Sequence, residues 1–524
     1  MTRAAALALF LAGAGWTCPA AATAAASEPL AAYLAGRVAS VEGRAKAAAG
    51  DFTIALAQWP DDPAVAVRAY REAMIAGDEA LALRSARVME AEKVAPIDVA
   101  LLDLAVAARK RDRAGYDAAL TRIDGGALRI LSPSLRAWAA WDRHRPVASA
   151  IESAGKEPVA RRLAEENLLL ISLASRKITG QRARALLEAM QARPDTRMAA
   201  VALMAGQGDM QAAKPLLSDP LVLADQKALA ATPSLGFGVS QLFVRVGAEL
   251  GAEGPRPLVI ALARTALIAD PSNDRARLLL AEALSRDEVW TAALAALDDV
   301  DPKGAFAHRA AIVRIGLLGA ADRQGEALML ARGLAEAKGA TIDDWQVYAD
   351  QLMVAGQPAA AVPWYRRVTE ASPALPWVAW LQYGSALDGA GQHDQADAAL
   401  AKAVDLAPQE PLALNYLGYS RVEQGRDVAA SLVLLERASR LAPDNASITD
   451  SLGWAYFKAG QTGRALPLIE KAVEGEPANA EINDHLGDIY WAVGRHYEAR
   501  YAWRAAALTA EPKLLETLEP KLRR

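Results

Sequence analysis

The chain is poor in the side chains that carry most catalytic and metal chemistry. It has a single cysteine, Cys18, among 524 residues, which excludes a disulfide framework and a paired-cysteine zinc site. Only five histidines occur: His144, His308, His393, His485 and His496. The sequence also lacks a phosphate-binding P-loop, an HExxH zinc motif and a GxSxG nucleophile motif. We therefore expect neither a cofactor, nor a metal, nor catalytic residues, and predict that the protein is not an enzyme.

The chain also lacks a strong excess of charge. Its 58 Lys and Arg residues nearly balance 62 Asp and Glu residues, for a formal net charge of −4 and a pI of about 5.9. No basic stripe is present, which argues against a nucleic-acid partner. After the N-terminal segment no apolar run is long enough to cross a membrane, so we expect no transmembrane segment in the mature chain.

Residues 1–26 have the pattern of a bacterial secretory signal peptide. Arg3 supplies a positive start, residues 4–14 form a short apolar run, and three alanines precede Ser27 as a cleavage site. The pattern predicts export across the inner membrane to the periplasm. Two alternatives remain: an alanine-rich start without a targeting role, and lipidation at Cys18, which would give an outer-membrane lipoprotein. The residues before Cys18, Gly-Trp-Thr, fit the lipidation motif badly.

A pattern of small and large residues recurs about every 34 residues towards the C-terminus. The clearest copy contains Leu452, Gly453, Tyr456, Ala465, Ile469, Ala472 and Pro477; the next contains Leu486, Gly487, Tyr490, Ala499, Trp503, Ala506 and Pro512; an earlier one contains Tyr383, Gly384, Leu387, Ala396, Leu400, Ala403 and Pro408. A fourth, Leu417, Gly418, Ala430, Leu434 and Pro443, fits with one extra residue. A period of this size predicts helix–turn–helix hairpins stacked into a solenoid.

The spacing has a physical cause. Gly453 and Ala465 are small where the two helices of a hairpin approach closely, whereas Tyr456 and Ile469 fill the space between helices. Pro477 ends the second helix because proline lacks an N–H donor. Much of the hydrophobic content is alanine, which favours helix, and β-branched runs bounded by turn signals are almost absent. An all-α fold with essentially no sheet is predicted.

Weaker copies occur earlier in the chain, and their distribution predicts five segments. The fitting residues are Gly36, Ala48, Phe52, Ala55 and Pro60 near the start; Gly247, Leu250, Ala266 and Pro271, then Ala281, Leu284, Ala293 and Leu297, in the middle; and Trp345, Ala349, Leu352, Ala361, Tyr365 and Pro373 before the clear copies. The predicted segments are the leader 1–26, degenerate hairpins 27–236, central repeats 237–340, a well-formed array 341–511 and a capping helix 512–524.

These residues resemble the tetratricopeptide repeat motif, W-x2-L-G-x2-Y followed by A-x3-F and P, with Trp345 and Trp380 as leading tryptophans. The resemblance implies an α-solenoid of hairpins forming a right-handed superhelix, with the first helices lining a concave groove for a protein or peptide partner. The runs that begin at Asn415, Asp450 and Asn483 resemble those of bacterial envelope repeat proteins, including lipoprotein adaptors of carboxyl-terminal processing proteases. That resemblance, over about 340–510, implies a scaffold that presents substrates to an envelope protease.

Counting from the glycine of each repeat predicts the side chains that line this groove. They are Asn415, Tyr419, Asp450, Trp454, Phe457, Asp484, Asp488 and Trp491. Aromatic side chains bury much area at little entropic loss, so they dominate interface energetics. Aromatics flanked by carboxylates favour an extended partner segment that carries positive charge.

One alternative reading concerns Glu481, Asp484, His485 and Asp488, which share a helix face and could ligate a divalent metal. We favour polar residues of a wet groove at these positions. Two other functions stay open: an accessory periplasmic subunit of a secretion or polysaccharide-export machine, and an enzyme within residues 100–235, where the repeat pattern fades.

Overall fold

The computed structural model describes residues 20–372 and 374–524, with only the backbone described for residues 20–28 and 151. These described residues form 30 α-helices, two 3-10 helices and no strand, and successive helices pack as hairpins. The predicted all-α fold of stacked hairpins is confirmed. Most of the predicted leader, including Cys18, lies outside the described residues, as does Pro373. No helix in the described part of the chain is both long and apolar enough to span a bilayer.

The chain divides into two compact units, Met1–Arg323 and Gln324–Arg524. The finer subdivision at 27–236, 237–340 and 341–511 stays a prediction. The N-terminal unit contains α1 (Ala20–Val41), α2 (Ala45–Gln58), α3 (Pro63–Ala76), α4 (Glu79–Ala91), α5 (Val99–Lys110), α6 (Arg113–Asp124), α7 (Ser132–Asp142), α8 (Ala148–Glu152), α9 (Pro158–Ala174), α10 (Gly180–Ala189), α11 (Pro194–Gly206), α12 (Met210–Ala213), α13 (Gln226–Leu229), α14 (Leu235–Leu250), α15 (Arg256–Ala269), α16 (Asp274–Arg286), α17 (Trp290–Ala296) and α18 (Ala307–Ala320), with 3-10 helices at Ala127–Leu131 and Lys214–Leu216.

Helices far apart in sequence touch within the N-terminal unit. α15 packs against α3 and α5, and α14 packs against α5, α7 and α9. Arg245 of α14 forms a buried ion pair with Glu166 of α9, 3.0 Å apart, and the rings of Trp138 and Phe237 meet edge to face. A solenoid is expected to hold contacts between neighbours alone. In this unit that expectation is wrong, because polar and aromatic side chains link distant hairpins.

The C-terminal unit follows the repeat pattern closely. It contains α19 (Gln324–Ala335), α20 (Ile342–Val354), α21 (Pro358–Ala371), α22 (Trp377–Gly389), α23 (His393–Leu406), α24 (Pro411–Glu423), α25 (Val428–Leu441), α26 (Ala446–Lys458), α27 (Thr462–Gly475), α28 (Ala480–Ala492), α29 (His496–Thr509) and α30 (Pro512–Leu522). The pairs α20–α21, α22–α23, α24–α25, α26–α27 and α28–α29 are hairpins. Helix α30 packs on α29.

The repeat glycines lie where the two helices of a hairpin are in closest contact. A Cβ atom built on Gly453 would approach Cδ1 of Ile469 to 2.8 Å, and one on Gly384 would approach Cδ2 of Leu400 to 2.7 Å. The alanines that follow them, Ala396 and Ala465, are fully buried. The predicted role of small residues at these positions is confirmed.

The copy around Gly418 differs from the prediction by one position. Ser431 and Leu435, rather than Ala430 and Leu434, are fully buried, and a Cβ on Gly418 would meet Cγ of Leu435 at 2.8 Å. The extra residue therefore lies before α25, in the turn. Ala430 and Leu434, which fitted the sequence pattern with one extra residue, are only partly buried.

Candidate functional site

The first helices of successive hairpins in the C-terminal unit, α22, α24, α26 and α28, touch one another and form a continuous layer. We call it the first-helix layer. All eight predicted groove residues lie on α24, α26 and α28. Helix caps fix where these helices begin: the Asn445 side chain accepts from the N–H of Ile448 at 3.0 Å, and that of Asn479 accepts from Glu481 at 3.1 Å. Capping side chains of this kind satisfy first-turn N–H groups.

A buried cluster joins these three helices at the centre of the layer. His485 of α28 places Nδ1 3.0 Å from both carboxylate oxygens of Asp450 on α26. Its ring stacks on that of Trp454, with centroids 3.9 Å apart and planes 12° apart. The ring of Tyr419 on α24 lies 6.4 Å from the imidazole. His485, Asp450 and Trp454 are all buried, so the cluster forms part of the core as well as of the layer.

His485 has an altered acidity. Burial alone lowers the pKa of the imidazole, but the charge of Asp450, its hydrogen bond, and the nearby Glu481 and Asp484 raise it by more. The net effect is a raised pKa. Opposite charge within a few ångströms favours the charged form. The cluster therefore favours an imidazolium that is held by Asp450 and lies against the face of the Trp454 ring.

At the edge of the cluster, exposed carboxylates hold the aromatic side chains. The Tyr419 hydroxyl donates to Oε1 of Glu481 at 2.5 Å, and the Trp454 indole donates to Oε1 of Glu423 at 2.6 Å. Lys458 lies 4.7 Å above the Trp454 ring. Burial, followed by the charge of Glu481, raises the pKa of Tyr419, so its hydroxyl stays a donor.

Phe457, another predicted groove residue, is half-buried, with its ring 5.3 Å from that of Trp454. Asn415 is buried, and its Oδ1 atom has no hydrogen-bond partner among the described residues. It is thus the one predicted groove residue with an unsatisfied buried acceptor, a group that normally finds a partner.

The chain's own C-terminal helix covers the last repeat. Lys521 of α30 lies 2.7 Å from Asp484 and 2.8 Å from Asp488. Burial raises the pKa of Asp484, and the contact with Lys521 opposes that rise. Trp491 is stacked on His496, with centroids 4.1 Å apart, and the Arg524 guanidinium lies 5.5 Å from its ring. Asp484, Asp488 and Trp491 are thus in contact with the C-terminal part of the chain, from His496 to Arg524.

The four residues considered as a metal site are all engaged with other side chains of the chain. Glu481 accepts from Tyr419, His485 pairs with Asp450, and Asp484 and Asp488 bind Lys521. Over residues 20–372 and 374–524 no group of three or more His, Cys, Asp and Glu side chains is arranged to hold a metal ion.

Sequence reasoning missed three residues of this site: His485 as its centre, Glu423, and Lys521. Glu423 could have been found, since it and Lys458 occupy the same position relative to the glycines Gly418 and Gly453. Lys521 could not, because α30 lies outside the repeat pattern.

Residues 378–410, which cover α22 and α23, match the model of the tetratricopeptide repeat. No curated protein matches the chain. The chain is similar to the solved structure of a tetratricopeptide repeat protein from Parabacteroides merdae, with 15% identity over 48% of this chain and 98% of that one and a TM-score of 0.43. It is also similar to a tetratricopeptide repeat protein from Thermus thermophilus, with 21% identity over 35% of this chain and 97% of that one and a TM-score of 0.32. The APC/C hetero-tetramer Cut9–Hcn1 shows 16% identity over 96% of this chain and 97% of that one, with a TM-score of 0.40.

The family match thus assigns a tetratricopeptide repeat to residues 378–410, and the other hairpins of the C-terminal unit have the same helix–turn–helix architecture. This fold suggests a protein–protein interaction scaffold and is typically non-catalytic.

Proposed function

We propose that the protein is a non-catalytic periplasmic adaptor that binds an extended segment of a partner protein along the first-helix layer and presents it to an envelope protease. The observation that carries the binding role is the pair of half-buried rings of Tyr419 on α24 and Phe457 on α26, which flank the buried stack of His485 and Trp454. Side chains from successive hairpins meet in one surface, which suits a partner that spans several repeats.

The chemistry of the exposed side chains specifies the partner. Leu412 is 41% exposed, while Tyr419 and Phe457 are half-buried. The carboxylates of Glu423 and Glu481 lie at the edge of the same surface. Partly exposed apolar groups beside carboxylates favour a segment that alternates apolar residues with Lys or Arg.

Replacement of Trp454 would be a poor test of binding, because its buried ring supports the core. We therefore choose Phe457 and Leu412, and place a photo-crosslinking amino acid at each position in living cells. The same envelope protein should be captured from both sites. Tyr501 of α29, which is 53% exposed and lies outside the first-helix layer, is the matched control. Equal capture of that protein from position 501 would contradict binding in the layer.

Export is tested separately. Fusion of residues 1–26 to a phosphatase that is active only after export should give an active enzyme, and the mature protein should begin at Ser27. An inactive fusion, or an intact Met1 on the protein from cells, would contradict the periplasmic location.

The adaptor role predicts an effect on proteolysis. The captured partner should be cleaved by its envelope protease faster when the purified repeat protein is present, and Phe457→Ala should reduce this acceleration. Cleavage at an unchanged rate would contradict the adaptor role, although the protein could still act as a binding scaffold.

A further inference from the structure

The N-terminal unit contains a cavity of about 510 Å³ between the start of α2 and the helices α15, α16 and α17. Its volume falls in the usual range of small-molecule sites. Four cationic side chains line it, Arg44, Lys46, Arg264 and Arg277, against a single carboxylate, that of Asp299. This excess of positive charge distinguishes the cavity from the near-neutral chain as a whole.

Two of the four cations have no carboxylate partner. Arg44 pairs with Glu42, which lies outside the cavity, and Arg277 lies 3.6 Å from Asp274. Lys46 and Arg264 form no ion pair within the described residues, and Asp299 is exposed to solvent. The charge that remains for a ligand is thus mainly that of Lys46 and Arg264.

Arg264 is the more unusual of these two. Its Nε donates to the carbonyl of Met74 at 2.8 Å and its Nη2 to that of Ile75 at 2.7 Å. Its Nη1 has no acceptor among the described residues. Burial and then the charge of Arg277 lower the pKa of this guanidinium to about 10, so it is still charged at neutral pH. The Arg264 side chain is only partly exposed, to the cavity. A charged group that is largely withdrawn from water without a counter-ion is unfavourable, and a bound anion would relieve this.

The N-terminus of α2 adds to the positive electrostatic potential of the cavity. The first turn of α2, Ala45, Lys46 and Ala47, lines the cavity, and the residue before it, Arg44, makes no side-chain cap. First-turn N–H groups have no partner within a helix, and together with the helix dipole they favour an anion. Most of the remaining wall is apolar and includes Ile75, Leu267, Leu280, Ala292, Ala295 and Ala296. Thr291 also lines it, and its hydroxyl donates to the carbonyl of Gly43 at 2.7 Å.

We propose that this cavity binds a small organic anion, with a carboxylate or phosphate group at Lys46, Arg264 and the start of α2, and a short apolar part against α15 and α17. This role is independent of partner binding in the C-terminal unit.

Calorimetry on the full-length protein tests the ligand chemistry. The probes are octanoate, octyl phosphate, inorganic phosphate and the neutral octanamide. We expect saturable one-to-one binding of octanoate or octyl phosphate, weaker binding at high salt, and none of octanamide. The stronger of the two anions identifies the preferred head group. If octanamide bound as tightly as octanoate, recognition by the cationic side chains would be contradicted. If no probe bound, the proposal would be overturned.

Two variants at exposed positions locate the site without a change in the core. Lys46→Glu reverses one charge, and Ala47→Trp fills the cavity from α2; each should weaken anion binding by about tenfold or more. The matched controls are Lys156→Glu, in the loop before α9, and Ala118→Trp, on the exposed side of α6. Unchanged affinity in Ala47→Trp, or an equal loss in both controls, would contradict binding in this cavity.

Discussion

At the scale of residues, each clear repeat of the C-terminal unit is organised around one glycine. Gly384, Gly418 and Gly453 have no Cβ where a large residue of the second helix lies against the first helix. Sequence spacing predicted the contacts of Gly384 and Gly453, because the packing depends on size, but for Gly418 it pointed to Leu434 rather than Leu435. The pairing of His485 with Asp450 was not predicted, since it depends on how two neighbouring hairpins are rotated.

The first prediction concerns Gly453. Gly453→Ala should lower the free energy of unfolding of the C-terminal unit by about 1–3 kcal/mol, because the new methyl group would approach Ile469 Cδ1 to 2.8 Å. Urea denaturation measures the change. The control is Gly463→Ala in the first turn of α27, where no atom lies within 4 Å; we expect it to stabilise by about 0.4–1 kcal/mol. Equal effects of the two substitutions would contradict the close approach.

The second prediction concerns the pH dependence of His485. The pKa of His485 is raised in the folded state, so the folded protein binds this proton more tightly than the unfolded chain does. The resulting contribution to the free energy of unfolding is fully present below the unfolded pKa of about 6.5. It is lost as the pH rises through the raised folded value. The difference in Tm between the native protein and His485→Asn should therefore narrow above neutral pH. His144→Asn controls for the loss of an exposed histidine, and a difference that widens with pH would contradict the pairing with Asp450.

At the scale of elements, the turns between the helices of a hairpin decide the register. Gly391, Gly460 and Gly494 adopt a left-handed conformation, and the second helix begins two residues later. After Gly425 it begins three residues later, and the extra residue, Asp427, has a φ of 36°. The sequence pattern indicated that one residue was extra but could not place it, since Ala430 and Leu434 suit a helix as well as Ser431 and Leu435 do.

The third prediction follows from this turn. Deletion of Asp427 should change the free energy of unfolding by less than about 1 kcal/mol, because relief of the left-handed residue offsets the loss of its cap to Ala430. Deletion of Val433, between the core positions Ser431 and Leu435 of α25, is the control and should be strongly destabilising, because it shifts one core position relative to the other. Chemical denaturation compares the two. If deletion of Asp427 lowered the free energy of unfolding as much as the control deletion, the extra residue would not lie in this turn.

The fourth prediction concerns the contact between α9 and α14. Glu166 and Arg245 are nearly inaccessible, and Thr196 also donates to Glu166 at 2.7 Å. Glu166→Ala should destabilise the N-terminal unit by about 3 kcal/mol, because it removes the buried carboxylate partner of Arg245 and leaves that arginine with the partly exposed Glu249 alone. The double variant Glu166→Leu with Arg245→Met should recover much of this loss. Chemical denaturation of both variants checks the prediction. A lower free energy of unfolding for the double variant than for Glu166→Ala would contradict it.

At the scale of the whole molecule, the sequence predicted the fold class but not where the two units divide. Local periodicity reports helices and hairpins, whereas the contacts of α5 with α14 and α15 join residues far apart in the chain. Such contacts leave no periodic signal. For the candidate site, the repeat frame located the correct helices, while the occupation of Asp484 and Asp488 by Lys521 required the fold itself.

The fifth prediction tests the division into units. Residues 324–524 contain their own buried clusters, including Trp454, Ile469 and Trp503, so this fragment should fold alone. Circular dichroism should show a helical spectrum with a cooperative thermal transition. A fragment without a transition would mean that the C-terminal unit depends on the rest of the chain.

The chain end has a practical consequence for work in the laboratory. Arg500 donates to the carbonyl of Arg524, and the Arg524 guanidinium lies over Trp491. An affinity tag or fluorescent fusion attached after Arg524 would place a bulky group beside these contacts. Reagents for purification and imaging are therefore better inserted in an exposed loop, such as the one that contains Lys156, than attached after Arg524.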